Sequence, residues 1–284
     1  MGEKPVRYPI HNRLLAMQNP ISRLLLVVVV LVLAACDTTT GTSDAEAPTL
    51  IPEAAFAFDA DLGDTSSSRS ASGDAGLNFF TGAARVGIVS LVVKANLILP
   101  AAMTSAATSV DPIVTDGVWV WSSTRPINGT DATFRLEGAP DGSFIDWNLR
   151  VTTANPATGD ALDDFVLYTA RTSLDGQTGT WRLYYRIDGE RTEVLSAEYD
   201  VSGDVEELLF TVENENDDHV GSTVLYQTED DTNTFDWLQK PQDIRTFVQW
   251  DDVTGAGFIE ADDYKEGVRS CWDASGDDVA CQST

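Results

Sequence analysis

The feature that most constrains the fold is a period-two alternation of apolar and polar residues that begins at Gly117 and continues to the end of the chain. Such alternation is typical of strands with one buried face. Short turn signals rich in Asp and Gly separate the runs, and no helical periodicity lies between them. Asp188-Gly189 is the clearest hairpin signal, because a type I′ turn needs two successive residues with positive φ. The pattern predicts a mainly β fold with an antiparallel meander over residues 117–284.

Residues 77–99 form the one strong helix candidate. Pro100 is expected to end the helix, because proline disfavours helical geometry in the residue before it. Apolar residues occupy most of the circumference of this segment, and a helix of that kind is surrounded either by lipid or by protein. Arg85 and Lys94 lie within the segment and make a membrane span costly.

We therefore expect the antiparallel meander to form a curved sheet or half-barrel around this helix. A segment that dips into a membrane is the alternative. In the enclosed arrangement, either Leu91→Asp or Val92→Asp would place a charge inside the domain and unfold it.

The N-terminus combines a basic stretch with the short apolar run 24–35. The run is shorter than the ~20 residues that span a bilayer, but it fits the ~7–15-residue apolar region of a signal peptide. Leu33-Ala34-Ala35-Cys36 resembles the lipobox of bacterial lipoproteins. The resemblance implies that residues 1–35 are cleaved, and that acyl chains such as palmitate on Cys36 anchor the protein outside the cytoplasm. An ordinary secretory signal is the alternative.

Asp37 resembles the inner-membrane retention signal of enteric lipoproteins, although the sequence leaves open which membrane holds the protein. Residues 36–53 are rich in Thr, Ala, Asp and Pro, a composition typical of a flexible tether. Residues 54–284 then form a single β-rich domain.

The charge of the chain limits its partners. It contains 45 acidic and 18 basic residues, for a net charge of −27. Phosphate backbones repel such a protein, so nucleic-acid binding is excluded. The acidity serves either solubility or life at high salt.

Beyond Cys36 the chain has two cysteines, Cys271 and Cys281. In an oxidising envelope, this spacing across an Asp/Ser/Gly turn predicts a disulfide that closes the last hairpin. A CxxC motif, which a redox or zinc site would favour, is missing.

No motif of a known catalytic class is present in the sequence. His219 lies in an acidic loop, where we expect a solvated side chain rather than a catalytic or zinc-binding one. Neighbouring carboxylates, which a glycosidase would need, are common in so acidic a chain. These pairs are Asp163-Asp164, Glu206-Glu207, Asp230-Asp231 and Asp262-Asp263.

Residues 252–263 weakly match an EF-hand calcium loop, with Asp252 and Asp263 at its first and last positions and Thr254 and Glu260 as further oxygen donors. Ala256 stands where a ligand oxygen is expected, and the flanks are strand-like rather than helical. A turn between strands is therefore the main prediction, and a weak Ca²⁺ site the alternative.

These observations favour a non-enzymatic binding or scaffold protein, held to the cell envelope by its lipid anchor and without a cofactor. In outline the predicted half-barrel is similar to periplasmic lipoprotein carriers and outer-membrane lipoprotein receptors, which cradle an apolar ligand. The resemblance implies an apolar ligand or an envelope protein as the partner. A carboxylate-based hydrolase of envelope polysaccharide is the runner-up, and a purely structural protein whose helix fills the barrel is the third possibility.

Overall fold

A computed structural model of the chain describes residues 47–51, 60, 62, 76–127, 129–154 and 161–282. The predicted signal peptide and Cys36 lie outside this part of the chain, as does most of the tether. Within it, helix α1 (Leu77–Ala107) precedes fourteen strands. The strands are β1 (Ile113–Thr115), β2 (Val118–Ile127), β3 (Thr130–Asp141), β4 (Phe144–Thr153), β5 (Leu162–Ser173), β6 (Thr178–Ile187), β7 (Glu190–Asp200), β8 (Val205–Val212), β9 (Thr223–Glu229), β10 (Thr232–Gln239), β11 (Ile244–Asp251), β12 (Gly257–Ala261), β13 (Ser270–Trp272) and β14 (Asp278–Val279).

Every strand pairs antiparallel with the next, so the order in the sheet is the order in the chain. The predicted mainly β meander is confirmed, and among the described strands the sheet is open, since β1 and β14 do not pair. The predicted hairpin is also present: Asp188 and Gly189 have φ of 53° and 88° between β6 and β7. Both residues thus have the positive φ that a type I′ turn requires.

One face of the sheet is buried, as the alternation predicts. Along β4, for example, Ile145, Trp147, Leu149 and Val151 are all buried, and the residues between them are partly exposed. Aromatic rings fill much of the space above this face. The largest fully buried side chains include Trp147, Trp181, Trp250, Trp272, Tyr168, Phe210 and Phe235.

Helix α1 contacts strands near both edges of the sheet. At its start, Asn78 Nδ2 donates a hydrogen bond to the Cys271 carbonyl on β13 (2.8 Å). At its end, the Ser123 hydroxyl on β2 donates to the Ala106 carbonyl (2.6 Å). In a flat sheet β2 and β13 would lie roughly 50 Å apart, whereas this stretch of helix is only about 42 Å long. The sheet therefore curls around the helix.

The predicted end of the helix at Leu99 is wrong, since α1 continues through Pro100 to Ala107. Proline inside a helix costs about 3 kcal/mol, so other interactions must offset it. The Thr104 hydroxyl bonds the Pro100 carbonyl and the hydroxyl of Tyr168 on β5, both at 2.8 Å. Ala107 is fully buried. Packing against the sheet thus extends the helix beyond its local stop signal.

The predicted curved sheet around the helix is confirmed, but the helix is only partly enclosed, because the sheet covers one face of α1. Phe79, Val86, Val89, Val93 and Leu97 are buried against the domain. The opposite face is exposed to solvent. We call it the outer face and define it by its large side chains, with exposed fractions in parentheses: Leu77 (59%), Phe80 (66%), Ile88 (64%), Leu91 (71%) and Val92 (57%).

Candidate functional site: the outer face of the helix

The start of α1 is fixed by Asn78, whose side chain is almost fully buried. Its backbone N–H donates to Asp278 Oδ1 (2.9 Å), in addition to the side-chain bond to Cys271. Its Oδ1 accepts hydrogen bonds from the Tyr264 hydroxyl (2.8 Å) and from Lys265 Nζ (2.6 Å). The amide thus joins the helix to the C-terminal strands.

A disulfide stabilises this same region. The sulfur atoms of Cys271 and Cys281 are 2.11 Å apart and their Cα atoms 5.2 Å apart, so the two cysteines form the bridge that the sequence predicts. Next to it, the ring of Trp272 packs edge-on against Phe79, with centroids 5.8 Å apart. Gly82 leaves room for that ring, since a Cβ there would lie 3.3 Å from it.

The middle of the helix is also held by polar contacts. Arg85 Nη1 donates to the Thr246 hydroxyl on β11 (2.8 Å) and to Asp263 Oδ1 (2.7 Å). The buried Ser90 hydroxyl donates to the carbonyl of Ala60, which brings the N-terminal arm of the domain against the helix (2.7 Å).

Tyrosines on the concave side of the sheet contact the C-terminal half of α1. The Tyr185 hydroxyl donates to Asn96 Oδ1 (3.3 Å), and Tyr168 shares the bond with Thr104 described above. Burial raises the pKa of both phenols, and that of Tyr168 lies far above its ordinary range. These tyrosines are neutral hydrogen-bonding groups that orient the helix.

Helix α1 therefore differs from an ordinary surface helix, because it has large apolar side chains on both its buried and its exposed face. Asn78, Ser90 and Thr104 are buried and bonded on the sheet side, whereas Ile88 and Leu91 are exposed. By length and composition the helix would be able to cross a membrane. In this fold its buried face belongs to the domain core, and only the outer face is open to a partner.

Sequence reasoning missed the outer face because apolar residues around most of the helix do not show which side the sheet covers. The available signal was the absence of acidic residues: none occurs between Asp74 and Asp111, in a chain with 45 of them. A stretch with so few charged groups indicates a surface that is not adapted to water alone.

The residues of the weak calcium prediction do not form a cation site in the structure. Asp252 and Thr254 lie in the turn between β11 and β12, where Asp252 Oδ1 accepts a hydrogen bond from Asn233 Nδ2 (3.3 Å). The Thr254 backbone N–H donates to Asp251 Oδ1 (2.6 Å), an ordinary turn contact that lowers the pKa of Asp251.

The other two predicted ligands pair with arginines instead. Glu260 on β12 lies 3.4 Å from Arg269 Nε, and Asp263 forms the ion pair with Arg85. Across the described residues, no group of three or more His, Cys, Asp and Glu side chains is placed to hold a metal ion.

His219 and the paired carboxylates occupy ordinary surface positions. His219 is exposed in a turn, where its backbone N–H donates to Asp217 Oδ1 (2.8 Å). Asp164 forms an ion pair with Arg150 (2.7 Å), and Asp262 accepts the backbone N–H of Arg245 (2.7 Å). These contacts use the carboxylates to join strands and turns.

Comparison of the chain with protein families, with curated proteins and with solved structures gives no match. The functional argument therefore depends on the chain's own residues.

Proposed function

We propose that this chain is a lipid-anchored protein of the cell envelope, and that it acts as a non-enzymatic binding module through the outer face of α1. The lipobox-like sequence before Cys36 supports the anchor. One observation carries the binding function: five large apolar side chains, each more than half exposed, share one face of a helix that the sheet holds in place.

The arrangement of the domain supports binding rather than catalysis. Polar groups of the sheet form hydrogen bonds with Asn78, Arg85 and Thr104 of the helix and hold it in place. The described carboxylates with shifted pKa values are Asp175, Asp200 and Asp251, all in or next to turns, and hydrogen bonds lower the pKa of each. A glycosidase acid needs the opposite shift.

The anchor is tested by metabolic labelling with palmitate in a bacterial host. Wild-type protein is expected to incorporate the label and to fractionate with membranes, and Cys36→Ser to lose both properties. The double variant Cys271→Ser/Cys281→Ser is the matched control, since it removes cysteines that carry no lipid and should remain labelled. Wild-type protein without label would contradict the proposal.

The binding face is tested with an apolar fluorescent probe such as anilinonaphthalene sulfonate. The folded protein is expected to enhance the probe's emission, and Leu91→Asp to reduce the enhancement, since the charge interrupts the outer face. Val253→Asp is the control, because Val253 is 74% exposed but lies in a turn of the sheet. Equal emission from wild-type protein and both variants would favour a purely structural helix.

A further inference from the structure

We propose that the outer face of α1 lies on the bilayer that holds the acyl chains of Cys36, with the helix axis parallel to the membrane plane. This inference rests on the proposed lipid anchor and adds the partner of the apolar face. It differs from a membrane span, because the opposite face of the helix stays packed on the sheet.

Helix α1 has no acidic residue, so it is better suited to a lipid surface than the acidic remainder of the chain is. A protein with a net charge of −27 is repelled by an anionic interface, and any carboxylate brought there would lose water. Between Asp74 and Asp111 the chain has no carboxylate to desolvate. The outer face itself can therefore approach a membrane without desolvation of a carboxylate of the helix.

Polar side chains beside the outer face already have hydrogen-bond partners within the protein. The Thr81 hydroxyl donates to the Leu77 carbonyl (2.7 Å), and Asn96 Nδ2 donates to the Val92 carbonyl (2.9 Å). Asn96 Oδ1 accepts the bond from Tyr185. Groups satisfied in this way tolerate an apolar environment, whereas a polar protein partner would need free donors and acceptors there.

Ala60, on the N-terminal side of α1 in the chain, contacts the middle of the helix. Ile51 and Ala60 are buried, and the Ala60 carbonyl accepts the hydrogen bond from Ser90 in the middle of α1. If the segment that joins Cys36 to Leu50 were a flexible coil, it would reach roughly 20 Å, less than the ~46 Å length of the helix. A tether of that reach would keep the domain, and with it α1, close to the membrane.

A depth measurement in vesicles tests this placement. The mature lipoprotein is reconstituted into phosphatidylcholine/phosphatidylethanolamine vesicles as the Leu91→Cys variant, labelled with a fluorescent maleimide and quenched by nitroxide-labelled lipid. The chain has three cysteines of its own. Cys271 and Cys281 are bonded to each other, and acylated Cys36 has no thiol. The introduced cysteine at position 91 is therefore the thiol that reacts with the maleimide. Leu174→Cys is the matched control, with the same residue type and an exposure of 53% in the wild type.

We expect the nitroxide lipid to quench the label at position 91 several-fold more than the label at position 174. Ile88→Cys should be quenched like Leu91→Cys, which guards against a local disturbance by one substitution. The near-ultraviolet circular dichroism spectrum of each variant is compared with that of the wild type. A matching spectrum establishes that the variant retains the fold.

Other occupants of the outer face give different results, and each would overturn the inference. A second copy of the chain would leave position 91 insensitive to nitroxide lipid and cause self-quenching that grows with the protein-to-lipid ratio. The apolar segment 54–58 of the same chain would protect the label from both nitroxide lipid and aqueous iodide. Equal quenching at positions 91 and 174 would show no preferred face.

The anchor and the docking of the helix fail in distinguishable ways. If Cys36 is not acylated, wild-type protein reacts with the maleimide and does not float with vesicles, and both proposals are wrong. If wild-type protein floats and takes up no dye while position 91 resists quenching, the anchor stands and only the docking of the helix is wrong.

Discussion

Two leucines on opposite faces of α1 provide the sharpest test of the fold. Leu97 is 2% exposed and Leu91 is 71% exposed, and the same substitution to alanine can be made at both. A buried Leu→Ala change removes apolar contact and leaves a cavity, at a cost of about 2–5 kcal/mol. The exposed change should cost less than about 0.5 kcal/mol. Helix propensity changes equally at the two positions, so it cancels in the comparison.

The measurement is urea and thermal unfolding of a soluble form comprising residues 47–284, which retains the buried Ile51. For a domain of this size, each kcal/mol lowers the Tm by about 2–4 °C. Leu97→Ala is therefore expected to melt about 4–20 °C below the wild type, and Leu91→Ala within about 2 °C of it. Leu91→Asp should also remain folded, contrary to the enclosed-helix expectation. Equal losses at both positions would refute the assignment of the two faces.

Three further predictions concern the groups that hold the helix. Replacing Cys271 and Cys281 by serine should lower the free energy of unfolding by about 2–3 kcal/mol. Reduction of the wild-type disulfide should have the same effect. An unchanged urea midpoint would count against a stabilising bridge. Asn78→Ala should lower the free energy of unfolding by about 2–3 kcal/mol, because the buried partners of Asn78 lose their hydrogen bonds. Amide hydrogen exchange should become faster at the start of α1. Unaltered exchange would exclude the proposed role of Asn78. Burial raises the pKa of Tyr168 above the value near 10 that the phenol has in the unfolded chain. The buried neutral phenol therefore contributes its full stabilisation below about pH 10, and this stabilisation is lost as the pH rises above that value. Urea titrations between pH 9 and 11.5 should therefore show a shallower alkaline loss for Tyr168→Phe, and identical slopes would contradict this reasoning.

The strands were predictable where local rules and the fold agree. Alternation along β4 places Trp147 and Leu149 on the buried face, and the Asp188-Gly189 turn sets the register of β6 and β7. β1 was missed because it has only three residues, and the Asp116-Gly117 turn that follows it was interpreted as the start of the sheet. In the structure both turn residues have positive φ, as in the later hairpin.

The errors on α1 arise from tertiary interactions that no local pattern records. Pro100 is a correct stop signal on its own, and it is overridden by Thr104 and Ala107 packing against the sheet. The burial of Ser90 also depends on a residue distant in sequence, because the Ala60 carbonyl accepts its hydrogen bond. Outside α1, Asp252 lies in the predicted turn between strands, where it accepts a hydrogen bond from Asn233, and Asp263 pairs with Arg85.

The outer face is too large an apolar surface to be a neutral feature of the domain. Burying one such side chain is worth about 1.5–3 kcal/mol, and the five side chains of the outer face are each 57–71% exposed. Covering all five would therefore contribute roughly 5–10 kcal/mol, as much as the whole stability of a typical domain. Single exposed apolar residues are common, whereas a contiguous patch marks a surface that a partner covers. The sheet packs on one side of the helix and leaves the outer face exposed on the other, which supports the proposal that an apolar partner covers it.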